Sequence, residues 1–256
     1  MDPYKIVIPA RFASTRLPGK PLIKLAGKPM IQHVYERAVA TGIKEVVIAT
    51  DDDRIESVAK EFGADVVMTS LEHENGTERI AEVASIKGWS DDTVIVNLQG
   101  DEPLTPQRLI ELTANGLIEH PEAGMSSLCT PLHNDLDAFN PNVVKAVLDK
   151  RNFALYFSRA SIPWDRDEYK NGLNNMTTKM PVYRHIGMYA YRVSFLKQYV
   201  EMEPCALETT ESLEQLRALW YGVKIHMSVI DEAPGHGVDT LEDVKRVEHE
   251  LELLAI

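Results

Sequence analysis

The chain has 256 residues, a hydrophobic content of 44% and a formal net charge of −12 at pH 7. Its length and composition suit one large α/β domain or one domain with an insertion, and its acidity argues against binding to nucleic acid or to an anionic membrane surface. The two cysteines, Cys129 and Cys205, stand far apart and form no C-x-x-C pair, which favours a reducing compartment. The apolar run near the N-terminus is too short to predict a signal peptide, and no stretch is long enough to insert across a bilayer.

The N-terminal half of the chain alternates between strand-like and helix-like patterns. The predicted strands cover residues 5–8, 45–50, 64–68 and 93–98, and the predicted helices cover residues 54–62, 77–86 and 106–119. Regular alternation of this kind is typical of a doubly wound, Rossmann-like α/β fold with a mostly parallel central sheet and right-handed crossovers.

The alternation changes after about Gly124. Strand patterns follow at residues 143–148, 184–191 and 223–230, helical patterns at 208–221 and 241–254, and a polar segment typical of a surface loop at 165–179. We therefore predict a core of residues 1–130 and 205–256, with an inserted subdomain of residues 131–204. Aromatic residues are frequent in the segment 153–164, where they fit either a subunit interface or ordinary core burial.

A basic loop follows the first predicted strand. The segment P-A-R-F-A-S-T-R-L-P-G-K-P, residues 9–21, carries Arg11, Arg16 and Lys20, and no Asp or Glu occurs from residue 3 to residue 35 of this acidic chain. Cations on a loop at the carboxyl end of a strand are typical of a site for a phosphate-rich ligand. A solvated basic loop is the alternative. The segment is neither a Walker A loop nor a dinucleotide-binding motif, because it lacks their glycine pattern.

Two acidic points follow other predicted strands. Asp101 stands in Q-G-D-E-P after the strand at 93–98, and Asp239 stands in G-H-G-V-D-T after the strand at 223–230. Because parallel strands end at one edge of a sheet, these two carboxylates can converge with the basic loop. Mg²⁺ is commonly held by one or two carboxylates together with substrate phosphates. The alternatives are a turn-forming Asp101 and a helix-capping Asp239.

Several motifs together closely resemble those of the 3-deoxy-manno-octulosonate (Kdo) cytidylyltransferases, or CMP-Kdo synthetases. They are the loop at 9–21, N-L-Q-G-D-E-P, Y-F-S-R-A-S-I-P-W, R-H-I-G-M-Y-A-Y-R, L-E-Q-L-R and P-G-H-G-V-D-T, and the resemblance runs from about residue 5 to residue 247. It implies transfer of CMP from CTP to the anomeric hydroxyl of Kdo, with release of pyrophosphate. It also implies Mg²⁺, a homodimer, a cytoplasmic setting and a role in lipopolysaccharide biosynthesis.

The same resemblance implies roles for individual residues. Arg11 and Lys20 fall on triphosphate-binding positions, and Asp101 and Asp239 fall on metal positions, so that these four residues form the implied catalytic set. The positions near ribose and cytosine are Ala10, Ser14, Asn75, Gly76, Arg79 and Gln99, with Asn75 where the family has a smaller Ser. The implied sugar pocket comprises Gln99, Arg159, Arg184, His185, Glu211 and Gln215.

The chemistry of the substrates agrees with these implied roles. Kdo carries a carboxylate, which Arg159, Arg184 and His185 can bind, although His185 also fits a packed strand histidine. CTP is strongly anionic, so catalysis would depend on in-line positioning and on charge neutralisation by Mg²⁺, Lys20 and Arg11. No residue is identified as a general base. The alternatives are a cytidylyltransferase for another acidic sugar such as sialic acid, a non-catalytic nucleotide-binding module and an NAD-dependent oxidoreductase.

Overall fold

The computed structural model describes residues 2–13, 17–132, 135–167, 181–231, 233–235 and 237–254. The strands are β1 Lys5–Ala10, β2 Lys24–Leu25, β3 Lys28–Pro29, β4 Val46–Thr50, β5 Asp65–Met68, β6 Val94–Asn97, β7 Met125–Pro131, β8 Lys145–Leu148, β9 Ala154–Ser158, β10 Tyr183–Arg192 and β11 Ile225–Val229. The helices are α1 Met30–Val39, α2 Asp53–Glu61, α3 Gly76–Ile86, α4 Gln107–Ile118, α5 Asp135–Phe139, α6 Val193–Tyr199, α7 Ala206–Glu211, α8 Gln215–Trp220 and α9 Leu241–Leu254, with a short 3₁₀ helix at Lys20–Leu22.

The chain forms two compact units. The first comprises described residues of 1–114, 190–200 and 234–256, and the second comprises those of 115–189 and 201–233. These bounds differ from the predicted insertion at 131–204. The difference has a structural reason: residues 125–130 and 225–229 were assigned to the core, but they lie in β7 and β11, which pair with each other inside the second unit.

Four parallel strands in the order β6–β1–β4–β5 form the sheet of the first unit. Val7 of β1 lies opposite Val47 of β4 on one side and Asn97 of β6 on the other. Strands β1, β4 and β6 are short runs rich in β-branched residues and buried on both faces, as expected for a parallel sheet covered by helices. Because the strands are parallel, the segments that follow β1, β4 and β6 all begin at one edge of the sheet.

The second unit contains the neighbouring strands β11 and β7 and residues 183–189 of β10, with β8 antiparallel to β10 and β9 antiparallel to β8. Ile225 of β11 lies opposite Met125 of β7 in a parallel register. The predicted α/β class with a mostly parallel central sheet is therefore confirmed. Within the described residues, no helix combines the length and the apolar composition needed to cross a membrane.

The sequence did not predict several elements of this fold. Helix α1, strand β7, strand β9 and the β2–β3 hairpin are present although no pattern had indicated them. The single helix expected at 208–221 is two helices, α7 and α8, because Ser212 takes a left-handed conformation with φ of 53° that ends the first of them.

Candidate active site

The carboxyl edge of the first unit's sheet surrounds a cavity of about 480 Å³, a size typical of small-molecule sites. It is lined by the loop after β1, the start of α3, the loop after β6 and the segment before α9. The lining residues that the sequence had indicated are Ala10, Arg11, Lys20, Asn75, Gly76, Gln99, Asp101 and Asp239. The basic loop and both acidic points thus meet at one place, as predicted. The strand-end argument holds for Asp101, whereas Asp239 belongs to the first unit although β11, the strand before it, belongs to the second.

The ammonium group of Lys20 lies between the two acidic points. Its Nζ donates to Asp101 Oδ2 at 2.6 Å, to Asp239 Oδ1 at 3.1 Å and to the carbonyl oxygen of Val238 at 2.8 Å. Burial lowers the pKa of Lys20, but the neighbouring carboxylates of Asp101 and Asp239 raise it more, so that its pKa lies above the ordinary lysine value. Lys20 is therefore positively charged between the two carboxylates.

The backbone around Lys20 is shaped by Gly19. Gly19 has a φ of 68°, in the left-handed region, and its N–H donates to the carbonyl oxygen of Phe12 at 3.0 Å, which closes the basic loop. A Cβ at Gly19 would lie only 3.0 Å from the Phe12 ring. Nearby Leu17 belongs to a core cluster with Val238, so apolar packing brings the loop and the segment before α9 together.

The loop after β6 is held against β1 and against the segment before α9. A Cβ at Gly100 would lie 2.8 Å from the carbonyl oxygen of Pro9, so only glycine fits there without a backbone shift. On the other side, the Val238 N–H donates to the carbonyl oxygen of Asp101 at 2.9 Å. These contacts place the side chains of Asp101 and Asp239 on the same cavity.

Arg11 donates to the backbone of the segment that precedes α3. Its guanidinium bonds to the carbonyl oxygens of Glu74 at 3.0 Å and Asn75 at 3.3 Å, and also to that of His73. The residue therefore lines the cavity and also fixes the loop that lies across it.

Asn75 acts as the N-cap of α3. Its Oδ1 accepts from the Glu78 N–H at 2.9 Å, and its Nδ2 donates to Glu78 Oε1 at 2.9 Å. Both ends of the side-chain amide are thus used to start the helix. The adjacent Gly76 lines the cavity and leaves its backbone open.

Arg79, which the resemblance places near ribose and cytosine, is not among the residues that line the cavity. Its side chain is fully buried, forms an ion pair with Asp51 and donates to the Thr69 hydroxyl. Asp51 directly follows β4, so the buried guanidinium ties α3 to the carboxyl edge of the sheet. Its contacts connect elements beside the cavity.

Two features of this site were not anticipated from the sequence. Arg54 stacks over the Phe12 ring with its Cζ 3.3 Å from the ring centroid, while its guanidinium bonds to the carboxylate of Asp52. Burial and the charge of Asp101 raise the pKa of Glu102 to about 7, against a smaller lowering by its hydrogen bond from Thr105. The adjacency of Asp101 and Glu102 is the signal that sequence reasoning could have used for the second feature.

The donor set suits a hard divalent cation that is also bound by its substrate. Among the residues described, no group of three or more His, Cys, Asp or Glu side chains could hold a metal ion alone. Asp101 and Asp239 supply two carboxylates, which is the number that Mg²⁺ commonly takes when phosphates complete its shell.

Most of the predicted sugar-binding residues cluster in the second unit. Glu211, at the end of α7, accepts from the Ser158 hydroxyl at 2.6 Å and from the Arg159 N–H at 2.9 Å. The Arg159 guanidinium in turn donates to the carbonyl oxygens of Glu211 at 2.6 Å and Pro141 at 3.0 Å. Arg184 is half-buried on β10. Gln99 is the one predicted sugar-binding residue outside this unit, and it lines the cavity of the first unit.

His185 lies in the core of the second unit. Its Nε2 lies 2.9 Å from Ser127 Oγ, and its Nδ1 lies 3.4 Å from Gln215 Nε2. Burial lowers the pKa of His185 to about 3, so the ring is neutral at physiological pH. In the absence of a bound sugar, His185 is thus a buried hydrogen-bonding group, as in the alternative of a packed strand histidine.

Lys145 is a further buried cation that sequence reasoning missed. Its ammonium group donates to the carbonyl oxygens of Asn140 at 2.9 Å, Val143 at 2.6 Å and Arg159 at 2.6 Å. Burial lowers the pKa of Lys145. A single lysine inside the apolar run V-V-K-A-V-L was the signal that could have indicated it.

Some predicted features lie outside the described residues. Ser14, which was expected near the nucleotide, is one of them, and so are Arg16 of the basic loop, His236 beside Gly237 and residues 168–179 of the expected surface loop.

The chain is similar to known proteins along nearly its whole length. Residues 5–225 match the family model described as "Cytidylyltransferase". The chain is 57% identical over 245 residues to a 3-deoxy-manno-octulosonate cytidylyltransferase of Thioalkalivibrio sulfidiphilus (strain HL-EbGR7), covering 96% of this chain and 97% of the relative. A solved structure of CMP:2-keto-3-deoxy-manno-octonic acid synthetase complexed with CTP is similar with a TM-score of 0.88 and 41% identity, covering 98% of both chains. A cytidylyltransferase of Leptospira borgpetersenii serovar Hardjo-bovis (strain JB197) shares the fold alone, with a TM-score of 0.63 and 18% identity over 98% of this chain and 87% of that chain.

Proposed function

The chain belongs to the cytidylyltransferase family, and from that premise we propose how its residues carry out the transfer of CMP from CTP to the anomeric hydroxyl of Kdo with release of pyrophosphate. The similarity to a Kdo cytidylyltransferase over nearly the whole chain carries this conclusion. It favours Kdo over another acidic sugar such as sialic acid. The cavity at the carboxyl edge of the first unit's sheet is the place where a nucleotide binds in folds of this type.

Arg11 and Lys20 bind the triphosphate in this proposal. Both side chains line the cavity. Both are positively charged and can donate charge-assisted hydrogen bonds to the oxygens of a polyphosphate. Gly76 and Gln99 lie on the same cavity and suit contacts with ribose and cytosine. Arg79 does not contact the nucleotide in this proposal; through its ion pair with Asp51 it holds the start of α3, and thus Gly76, at the sheet edge.

Asp101 and Asp239 hold Mg²⁺ together with the CTP phosphates. An ion held by these two residues would supply positive charge near the α-phosphate and would favour deprotonation of the sugar hydroxyl. The chain's own contribution is to fix the two carboxylates on one cavity through the Val238–Asp101 hydrogen bond. The preorganised carboxylates require no rearrangement during the reaction.

Arg159, Arg184, Glu211 and Gln215 bind Kdo, with a neutral His185 as a buried hydrogen-bonding group among them. Glu211 holds the Arg159 backbone and the Ser158 hydroxyl, so it positions the cationic segment that would accept the sugar carboxylate. We therefore expect the amide of Kdo to be a poor substrate, because it would leave a guanidinium without its anionic partner.

A pyrophosphate-release assay with CTP tests the substrate assignment. Turnover with Kdo should exceed turnover with sialic acid by at least about a hundredfold in kcat/KM, because buried polar groups made for one substrate are left unpaired by another. Comparable rates with the two sugars, or with Kdo and its amide, would overturn the sugar assignment while leaving the nucleotide site intact.

Substitution of the two carboxylates tests the metal site. Asp101→Asn and Asp239→Asn should each lower kcat by at least about a hundredfold, as expected when an electrostatic stabiliser is lost. The double variant should be much less than additively impaired, since both residues serve one ion. Asp92→Asn, in an exposed loop, is the matched control and should keep full activity. Normal Mg²⁺ dependence in both single variants would contradict the site.

We further propose that the enzyme works in the cytoplasm, that it is a homodimer and that its product serves lipopolysaccharide biosynthesis. Cys129 and Cys205 are both buried free thiols, in agreement with a reducing compartment. Leu155 and Trp164 of the second unit are 61% and 60% exposed, and such large apolar side chains suit a contact with a second copy. Sedimentation of the purified protein at micromolar concentration tests the homodimer.

A further inference from the structure

We propose that Lys20 gates the metal site: its ammonium group and Mg²⁺ are alternative partners of the Asp101–Asp239 pair, and the phosphates of CTP open the site by drawing Lys20 away. This inference rests on the proposed metal role of the two carboxylates. It adds a function to Lys20 beyond binding phosphate, because it makes metal affinity depend on the nucleotide.

The hydrogen bonds of Lys20 are fully committed in the structure. An ammonium group has three donors. Those of Lys20 meet three acceptors within 3.1 Å, which are one oxygen of Asp101, one of Asp239 and the carbonyl of Val238. Lys20 must therefore give up at least one of these bonds before it can donate to a phosphate oxygen.

Electrostatic repulsion disfavours simultaneous binding of the ammonium group and a metal ion to the carboxylates of Asp101 and Asp239. Mg²⁺ binds oxygen at about 2.1 Å, and Asp101 Oδ2 is itself 2.6 Å from Lys20 Nζ. An ion on that oxygen would thus lie within about 5 Å of Nζ. A divalent and a monovalent cation at this separation repel each other strongly in a partly buried site. Competition between the two cations follows.

The exposure of the three side chains fits this exchange. The Lys20 side chain is only 14% exposed, whereas those of Asp101 and Asp239 are 33% and 45% exposed. The carboxylates are thus more exposed to solvent than the ammonium group, which lies on their more buried side. The four-carbon stem of lysine can swing without moving the backbone, which the Gly19 turn and the following 3₁₀ helix hold in place.

CTP allows both cations to bind at the same time, because its phosphates supply negative charge to each of them. Its phosphates give Lys20 new acceptors and give the metal additional oxygen ligands, so nucleotide binding and metal binding strengthen each other. By thermodynamic linkage, the factor by which CTP raises metal affinity equals the factor by which the metal raises CTP affinity. The gate would thus keep the carboxylate pair from holding a metal ion before the substrate arrives.

Binding of Mn²⁺ to the nucleotide-free protein tests the gate, with free Mn²⁺ measured by electron paramagnetic resonance. Lys20→Met keeps most of the side-chain volume and removes the ammonium group. This variant should bind Mn²⁺ at least about tenfold more tightly than the wild type, the factor expected for losing a charged competitor. Lys24→Met, at an exposed position of the same basic region, is the matched control and should bind Mn²⁺ like the wild type.

The location of the gained site is tested by adding Asp101→Asn to Lys20→Met, which should abolish the gain. Equal Mn²⁺ affinity in the wild type and Lys20→Met, or a gain that survives Asp101→Asn, would overturn the gate. If the gate fails while Asp101→Asn still lowers Mg²⁺-dependent turnover, the metal site itself stands. If neither protein binds Mn²⁺ and Asp101→Asn turns over normally, the metal site fails with it.

Discussion

The charge of His185 can be tested through the pH dependence of stability. The ring has an ordinary pKa of about 6.5 in the unfolded chain, and burial lowers it to about 3 in the folded protein. Between about pH 3 and pH 6.5 the unfolded state therefore binds a proton at His185 that the folded state does not bind. The free energy of unfolding rises with pH over this range. The contribution of His185 is fully present above about pH 6.5 and is lost progressively as the pH falls toward 3.

The size of the effect follows from the same two pKa values. At pH 5.5 the unfolded histidine is protonated about ten times as often as it is neutral, while the folded histidine stays neutral, so His185 costs about 1.4 kcal/mol of unfolding free energy. His185→Gln removes this cost. Between pH 7.5 and pH 5.5 the variant should lose about 1.4 kcal/mol less than the wild type. His226, whose pKa burial lowers to about 4, is present in both proteins and cancels from the difference.

Urea unfolding at pH 7.5, 6.5 and 5.5 measures this difference. Equal pH dependence in the two proteins would show that His185 is protonated in the folded state and would refute the reasoning. A kinetic readout is independent of stability. If His185 were a cationic partner of the sugar carboxylate, KM for Kdo would rise as the pH rises through the histidine pKa, whereas a neutral His185 predicts no such inflection between pH 6 and pH 8.

Three further substitutions test the positioning of the sites. Gly100→Ala should lower Tm by several degrees and abolish most activity, since its Cβ would lie 2.8 Å from a backbone oxygen, whereas Gly187→Ala, whose Cβ meets nothing within 4 Å, should change neither. Arg54→Ala should raise KM for CTP about two- to fivefold with little change in kcat, because the Phe12 ring of the basic loop loses its stacked guanidinium. Glu211→Gln should raise KM for Kdo at least about tenfold and leave KM for CTP unchanged, because the carboxylate that holds Ser158 and Arg159 is lost.

The sequence was informative where one local pattern determines the outcome. Short β-branched runs predicted β1, β4 and β6, and the shared edge of parallel strands predicted that Lys20 and Asp101 would meet. Strand β7 was missed because its serines interrupt the apolar pattern, although Ser126 and Ser127 are completely buried. Ser127 satisfies its hydroxyl with the carbonyl oxygens at positions 186 and 188, and a single sequence does not reveal partners so distant in the chain.

The direction of long side chains was the least predictable feature of the sites. Arg79 lies at the start of α3 beside residues that line the cavity, yet its guanidinium points into the core toward Asp51. His185 and Arg184 are neighbours on β10, and successive strand residues face opposite sides of a sheet. One of them is therefore buried and neutral while the other is half-buried. Motif positions are fixed by sequence, whereas side-chain surroundings depend on tertiary packing.

Three positively charged residues of this acidic chain hold neighbouring loops in the same way. Arg11, Lys145 and Arg159 each donate to the carbonyl oxygens of neighbouring loops. A carbonyl oxygen accepts a hydrogen bond without bringing a full negative charge, so these contacts fix the loops without neutralising the cations. In a chain of net charge −12, such an arrangement places positively charged groups beside both proposed substrate sites. Such groups are what an anionic nucleotide and an acidic sugar require.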